Sequence, residues 1–139
     1  MVIKQFYAEL GKLFYAIAAI DNWITEKEKN KIFEIVKNEL VPNELKIDRY
    51  GTDLAFFTQI EFEFLDEEGS DSLSAFESFI DFIQEHHTAL DEDSIRTCIR
   101  LSKKISKSYR GTNKKEYELI EKLKVLLSQS FLDKEKLIK

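Results

Sequence analysis

The chain has 139 residues, 43% of them hydrophobic and 34% charged, with four glycines and one proline. A chain of this length can bury roughly two thirds of the surface it exposes when unfolded, so a core forms without disulfides or metals. The composition argues against a disordered tail and for one ordered, largely helical domain over residues 1–139. A lone cysteine, Cys98, excludes an internal disulfide. No apolar run reaches membrane-spanning length and no hydrophobic signal segment opens the chain, so a cytoplasmic location without membrane insertion is expected.

The net charge of -5 is unevenly spread. Thirteen acids and no lysine or arginine lie between Arg49 and Arg96, whereas thirteen basic residues face five acids from Arg96 onward. This polarity either decorates solvated helix faces or offers partners two different surfaces.

Phe6, Leu10, Leu13, Ile17 and Ile20 repeat at helical spacing and place a first helix over residues 4–20, with Phe14 widening its stripe. Gly11 weakens the interior of that helix by about 1 kcal/mol relative to alanine, a cost that makes sense at a tight helix crossing. The pattern stops at Asp21 and Asn22, where the short asparagine amide tolerates a left-handed stop. Thr25 caps a second helix over residues 25–40, and Glu28, three positions on, suits a capping box. The two helices are expected to pack as a hairpin, with Trp23 either covering its end or stacking on a ligand. Pro42 is expected to stop the second helix and hold Val41 extended.

After a connection containing Leu45, Ile47 and Tyr50, Gly51 supplies a turn and Thr52 or Asp53 caps a third helix over residues 53–65. Phe57, Ile60 and Phe64 fit one face, broadened by Phe56 and Phe62. The alternating segment from Ile60 to Leu65 also fits a strand, but a lone strand lacks a partner. Asp71 or Ser72 starts a fourth helix with Leu73, Phe76, Ile80 and Ile83 inward, ending at His86 and His87, which by themselves make no metal site. Acids at Asp91, Glu92 and Asp93 open a fifth helix bearing Ile95, Ile99, Ser102 and Ile105, with Cys98 and Leu101 alongside. Gly111 ends it and Thr112 caps a sixth containing Leu119, Ile120, Leu123, Val125, Leu126 and Leu127. Residues 131–138 read as a short terminal helix started by Asp133, docked on the core or mediating a homodimer.

A shift of 88 positions superposes Leu13 on Leu101, Ile17 on Ile105, Thr25 on Asn113, Glu28 on Glu116, Ile32 on Ile120 and Ile35 on Leu123. The spacing predicts two helical hairpins enclosing aromatic middle helices. Asp21 and Asn22 fall on Tyr109 and Arg110, so the acidic joint belongs to one half only.

The run Ala18, Ala19, Asp21, Asn22, Ile24 and Glu28 resembles the TerB-like family, named for the tellurite-resistance protein TerB, with Asn22 where glycine is usual. The resemblance implies an all-α, compact bundle of about six or seven helices, found in bacterial stress-response systems and as a module in other proteins. It also implies a divalent cation or a partner at the acidic joint, which here designates Asp21 and Glu28, with Asp53 as a weaker addition.

Four functions are weighed. The leading one is a noncatalytic interaction or sensor-like domain that contacts a protein partner through Asp21, Asn22 and Trp23. The alternative is a divalent-cation domain holding calcium, magnesium or manganese on Asp21, Glu28 and Asp53, since hard cations favour oxygen ligands. Position 12 counted from Asp21 is the apolar Ile32, so the joint is no EF-hand. An enzyme is disfavoured because no nucleophile context, phosphate-binding glycine loop or His/Cys cluster is present, and no cofactor is established. Nucleic-acid binding through Lys103, Lys104, Lys107, Arg110, Lys114 and Lys115 is disfavoured by the acidic total.

Overall fold

The computed structural model describes residues 2–20, 24–44, 51–86, 92–107 and 114–138, with side chains over 4–20, 24–39, 55–86, 92–107 and 114–129. Described residues form six α-helices: α1 (Val2–Ala19), α2 (Glu26–Glu44), α3 (Gly51–Glu68), α4 (Ser72–His86), α5 (Glu92–Lys107) and α6 (Lys114–Ile138). The all-α bundle expected from the apolar periodicity is therefore present.

The central element is α1. Leu10, Leu13, Phe14, Ala16 and Ile17 are wholly buried, and the helix packs against α3, α4, α5 and α6. Its closest approach is to α3, and Gly11 explains it. A Cβ at this position would overlap the carbonyl oxygen of Thr58 and sit 3.0 Å from the Glu61 Cβ and 3.2 Å from the Phe62 amide nitrogen. The Thr58 hydroxyl, itself buried, donates to the Tyr7 carbonyl at 2.6 Å and fastens the same crossing. On the other side, Ser78 of α4 donates to the Glu9 carboxylate at 3.2 Å, and Lys12 reaches both Glu9 (2.9 Å) and Ser78 (3.0 Å).

The opening hairpin differs from its expectation. Among the described residues α1 and α2 do not lie side by side; α2 packs on α3 and α5. The wedge is Phe62 of α3, which meets Tyr15 of α1 edge-on at 5.8 Å and Phe33 of α2 edge-on at 5.4 Å. The later pair, α5 and α6, does pack directly. The buried spacing nonetheless repeats: Leu13 and Leu101, Ile17 and Ile105, and Ile32 and Ile120 are buried in both halves.

Several boundaries move. Pro42 lies inside α2, with Val41 helical, because a proline near a helix end forfeits one backbone bond and the coil continues briefly. Since α3 begins at Gly51, Thr52 and Asp53 sit within its first turn rather than before it. Residues 60–65 are helical, which excludes the strand reading. The terminal helix expected over 131–138 is the continuation of α6, since no glycine or proline interrupts a run rich in leucine, lysine and glutamate. Gly111 and Thr112 lie outside the described residues, as do Leu45, Ile47 and Tyr50.

Caps account for the ends that are described. The Glu28 amide donates to the Thr25 hydroxyl at 3.1 Å. At the end of α3, Gly69 adopts φ 63°, its amide bonds the Asp66 carbonyl (3.2 Å) and the Ser70 amide bonds the Leu65 carbonyl (3.0 Å), the pairing of a Schellman stop. Asp71 then caps α4 through the Ser74 amide at 2.9 Å.

In α5 the buried line is Ile95, Cys98, Leu101, Ser102, Ile105 and Ser106, with Ile99 only partly covered. Burial pushes the Cys98 thiol pKa far up, consistent with a packing role. Among the described residues Ser102 keeps a buried hydroxyl without a hydrogen-bond partner, a cost of about 1–3 kcal/mol for such a group.

Two substitutions test this packing by urea unfolding. Gly11→Ala should destabilise by about 1–3 kcal/mol despite its better helix propensity, because the overlap falls on backbone. Ser102→Ala should be neutral or stabilising by about 1 kcal/mol, since it removes an unsatisfied buried hydroxyl.

Candidate interaction surface

Of the residues proposed for the acidic joint, Asp21, Asn22 and Trp23 lie outside the described residues, and so does the side chain of Asp53. Glu28 is described. It is 7% exposed at the third position of α2, and its counterpart Glu116 is 3% exposed at the third position of α6. Two equivalent buried glutamates in first turns give Glu28 a structural account as a partner of the helix N-terminus. Among the described residues no group of three or more His, Cys, Asp or Glu is placed to hold a metal ion.

Around the beginning of α2 the acids are partly engaged within the fold. Lys29 reaches Asp66 of α3 at 2.9 Å and Glu26 at 3.2 Å, and the bond to Asp66 raises the lysine pKa. The Tyr15 hydroxyl donates to the Ser70 carbonyl at 2.7 Å. Desolvation, reinforced by Asp66 and Asp71, raises its pKa and keeps the phenol protonated. These bonds tie α1, α2 and the α3–α4 turn together.

Two basic residues of α5 are engaged within the fold. Lys104 and Arg100 both donate to Glu39 of α2, the latter at 2.9 Å, and bond formation holds the Glu39 carboxyl below its ordinary pKa. A groove of about 490 Å³ between α2 and α5 is lined by Lys31, Glu34, Ile35, Asn38, Lys104 and Lys107. Arg110 lies outside the described residues. At the end of α4, His86 packs against the Phe82 ring at 4.6 Å.

The most conspicuous surface is on α3. Its buried residues are Ala55, Thr58 and Phe62, at positions i, i+3 and i+7; of the expected face only Phe57 packs partly on the core, whereas Ile60 and Phe64 do not. At the crossing Gly11 meets the backbone of α3 at Thr58 and Phe62, and with that side inward Phe56, Ile60 and Phe64 turn outward. They are 56%, 42% and 49% exposed and form one row at i, i+4 and i+8. Phe57 is half-buried under Lys4, whose Nζ stands 4.6 Å from the ring centre. On other helices Leu73, Tyr117 and Val125 are also exposed, so the expected inward placement of Leu73 and Val125 does not hold.

The ridge is not legible in the local sequence because large apolar residues spread over most of the circumference of α3. The signal that could have found it is Gly11 itself, which marks a helix crossing, together with Thr58, whose backbone meets Gly11 on the opposite side of α3 from Phe56 and Ile60. No helix among the described residues is long and apolar enough to cross a membrane. Comparison with protein-family models, with curated proteins and with solved structures finds no match.

The Glu39 cluster gives a pH prediction. A depressed folded pKa contributes stability that is present above the unfolded value and lost as pH falls through the folded one. Glu39→Gln should therefore cost up to about 1 kcal/mol near neutral pH and nothing in strong acid, where wild type and variant should unfold at the same urea concentration.

Proposed function

We propose that this chain is a noncatalytic protein-interaction domain. The observation that supports the reading is the row of Phe56, Ile60 and Phe64, half in water on the outer face of α3. Scattered exposed apolar residues are ordinary, but a row of three on one helix face has the form of a docking anchor set. The resemblance to TerB-like proteins adds a stress-response, sensor-like setting to the proposal. Asp21, Asn22 and Trp23 remain its second contact candidate. A divalent cation on Asp21, Glu28 and Asp53 is the alternative, for which calorimetry with calcium, magnesium and manganese should show heat that Asp21→Asn removes.

The deciding experiment compares wild type with Phe56→Ser/Phe64→Ser in quantitative partner recovery. Both substitutions lie on the surface, so helicity and the urea midpoint should change little, by about 0.5 kcal/mol or less per site. Recovery of bound protein should fall about tenfold or more, as expected when anchoring aromatics are truncated. An unchanged partner profile from the folded double variant would remove the ridge from consideration.

A further inference from the structure

The chemistry of α3 narrows the occupant of its ridge, on the reading that the ridge binds protein. We propose that Phe56, Ile60 and Phe64 receive a cationic amphipathic helix of another protein. The row spans two turns of α3, about 12 Å, which matches the anchor spacing on one face of a docked helix.

Charge decides the sign of the partner. Between Gly51 and Glu68 the helix has no lysine or arginine. Its described acids are Glu61, Glu63, Asp66, Glu67 and Glu68, and among the described residues only Asp66 is ion-paired, with Lys29. By helical geometry Glu63 and Glu67 share the outward face with the apolar row. Three of the acids stand in the last turn, where the helix dipole is already negative; α3 has no basic residue there, and Lys29 of α2 engages only Asp66 among them. Lysines flanking the apolar stripe of a partner would meet both fields at once.

The same charge argues against other occupants. The α3 of a second copy would bring only further negative charge to the contact, and an anionic lipid surface would be repelled. At about 150–250 Å² for a whole aromatic side chain, the ridge leaves on the order of 300 Å² of apolar surface, within the range of functional patches. A contact of that size belongs to the weak, transient class.

The test uses the full chain and two labelled synthetic helices of about 18 residues, each with leucines on one face and either lysines or glutamates on the other. Fluorescence anisotropy should show the lysine helix binding about tenfold or more tightly than the glutamate helix at about 50 mM salt, with the preference shrinking at about 300 mM. Glu63→Lys/Glu67→Lys should weaken the lysine helix about tenfold, and Phe56→Ser/Phe64→Ser should weaken it at least as much. Preference for the glutamate helix, lost in the double serine variant, would overturn the cationic partner while leaving the ridge as a protein-binding surface. If neither helix depends on Phe56 and Phe64, the ridge reading itself falls. A dimer seen by sedimentation that the double serine variant dissolves would overturn the choice of partner in favour of a second copy.

Discussion

The close crossing of α1 and α3 at Gly11 is the constraint on which the rest of the arrangement depends. It places Thr58 within hydrogen-bonding reach of the Tyr7 carbonyl and fixes which side of α3 faces inward. With α3 so oriented, Phe62 enters the space between Tyr15 and Phe33. One ring thereby joins α1 to α2, which do not otherwise meet side by side among the described residues. Because a core is close-packed, this choice also settles where the remaining apolar residues of α3 go.

That consequence divides the aromatic residues into two populations. Phe6, Phe14, Phe62, Phe76, Phe79 and Phe82 are buried and build the interior around α1, whereas Phe56 and Phe64 remain half in water. The difference is not one of residue type or local sequence. It comes from the rotation of one helix about its own axis, set by a glycine on another. The ridge and the core are thus opposite sides of the same packing decision, and the proposed docking function rests on a surface that the fold itself leaves uncovered.

Polar interactions divide in a comparable way. Lys29 engages Asp66 between α2 and α3, and Arg100 and Lys104 engage Glu39 between α5 and α2, so charge reinforces both of the contacts that hold α2. The acids of α3 other than Asp66 lack such partners among the described residues. The uneven charge seen along the chain therefore resolves into an internally bridged part and an outward, unanswered part. The paired buried glutamates Glu28 and Glu116 belong with the scaffold, and their equivalence supports the repeated spacing as an architectural feature.

The helical class, the core of α1 and the repeated buried positions are legible in the residues alone, because heptad-like spacing and local caps act within a few residues. Thr25, Asp71 and Gly69 perform the terminal roles that their chemistry suggests, since a cap bonds its own helix. The pairing of α2 with α3 instead of α1, the passage of α2 through Pro42 and the outward face of α3 emerge only when the helices pack. Large apolar residues spread over most of the circumference of α3, among its acids, leave its own sequence without a clear burial direction. Gly11, more than forty residues away along the chain, supplied that direction by admitting the backbone of α3 at Thr58 and Phe62.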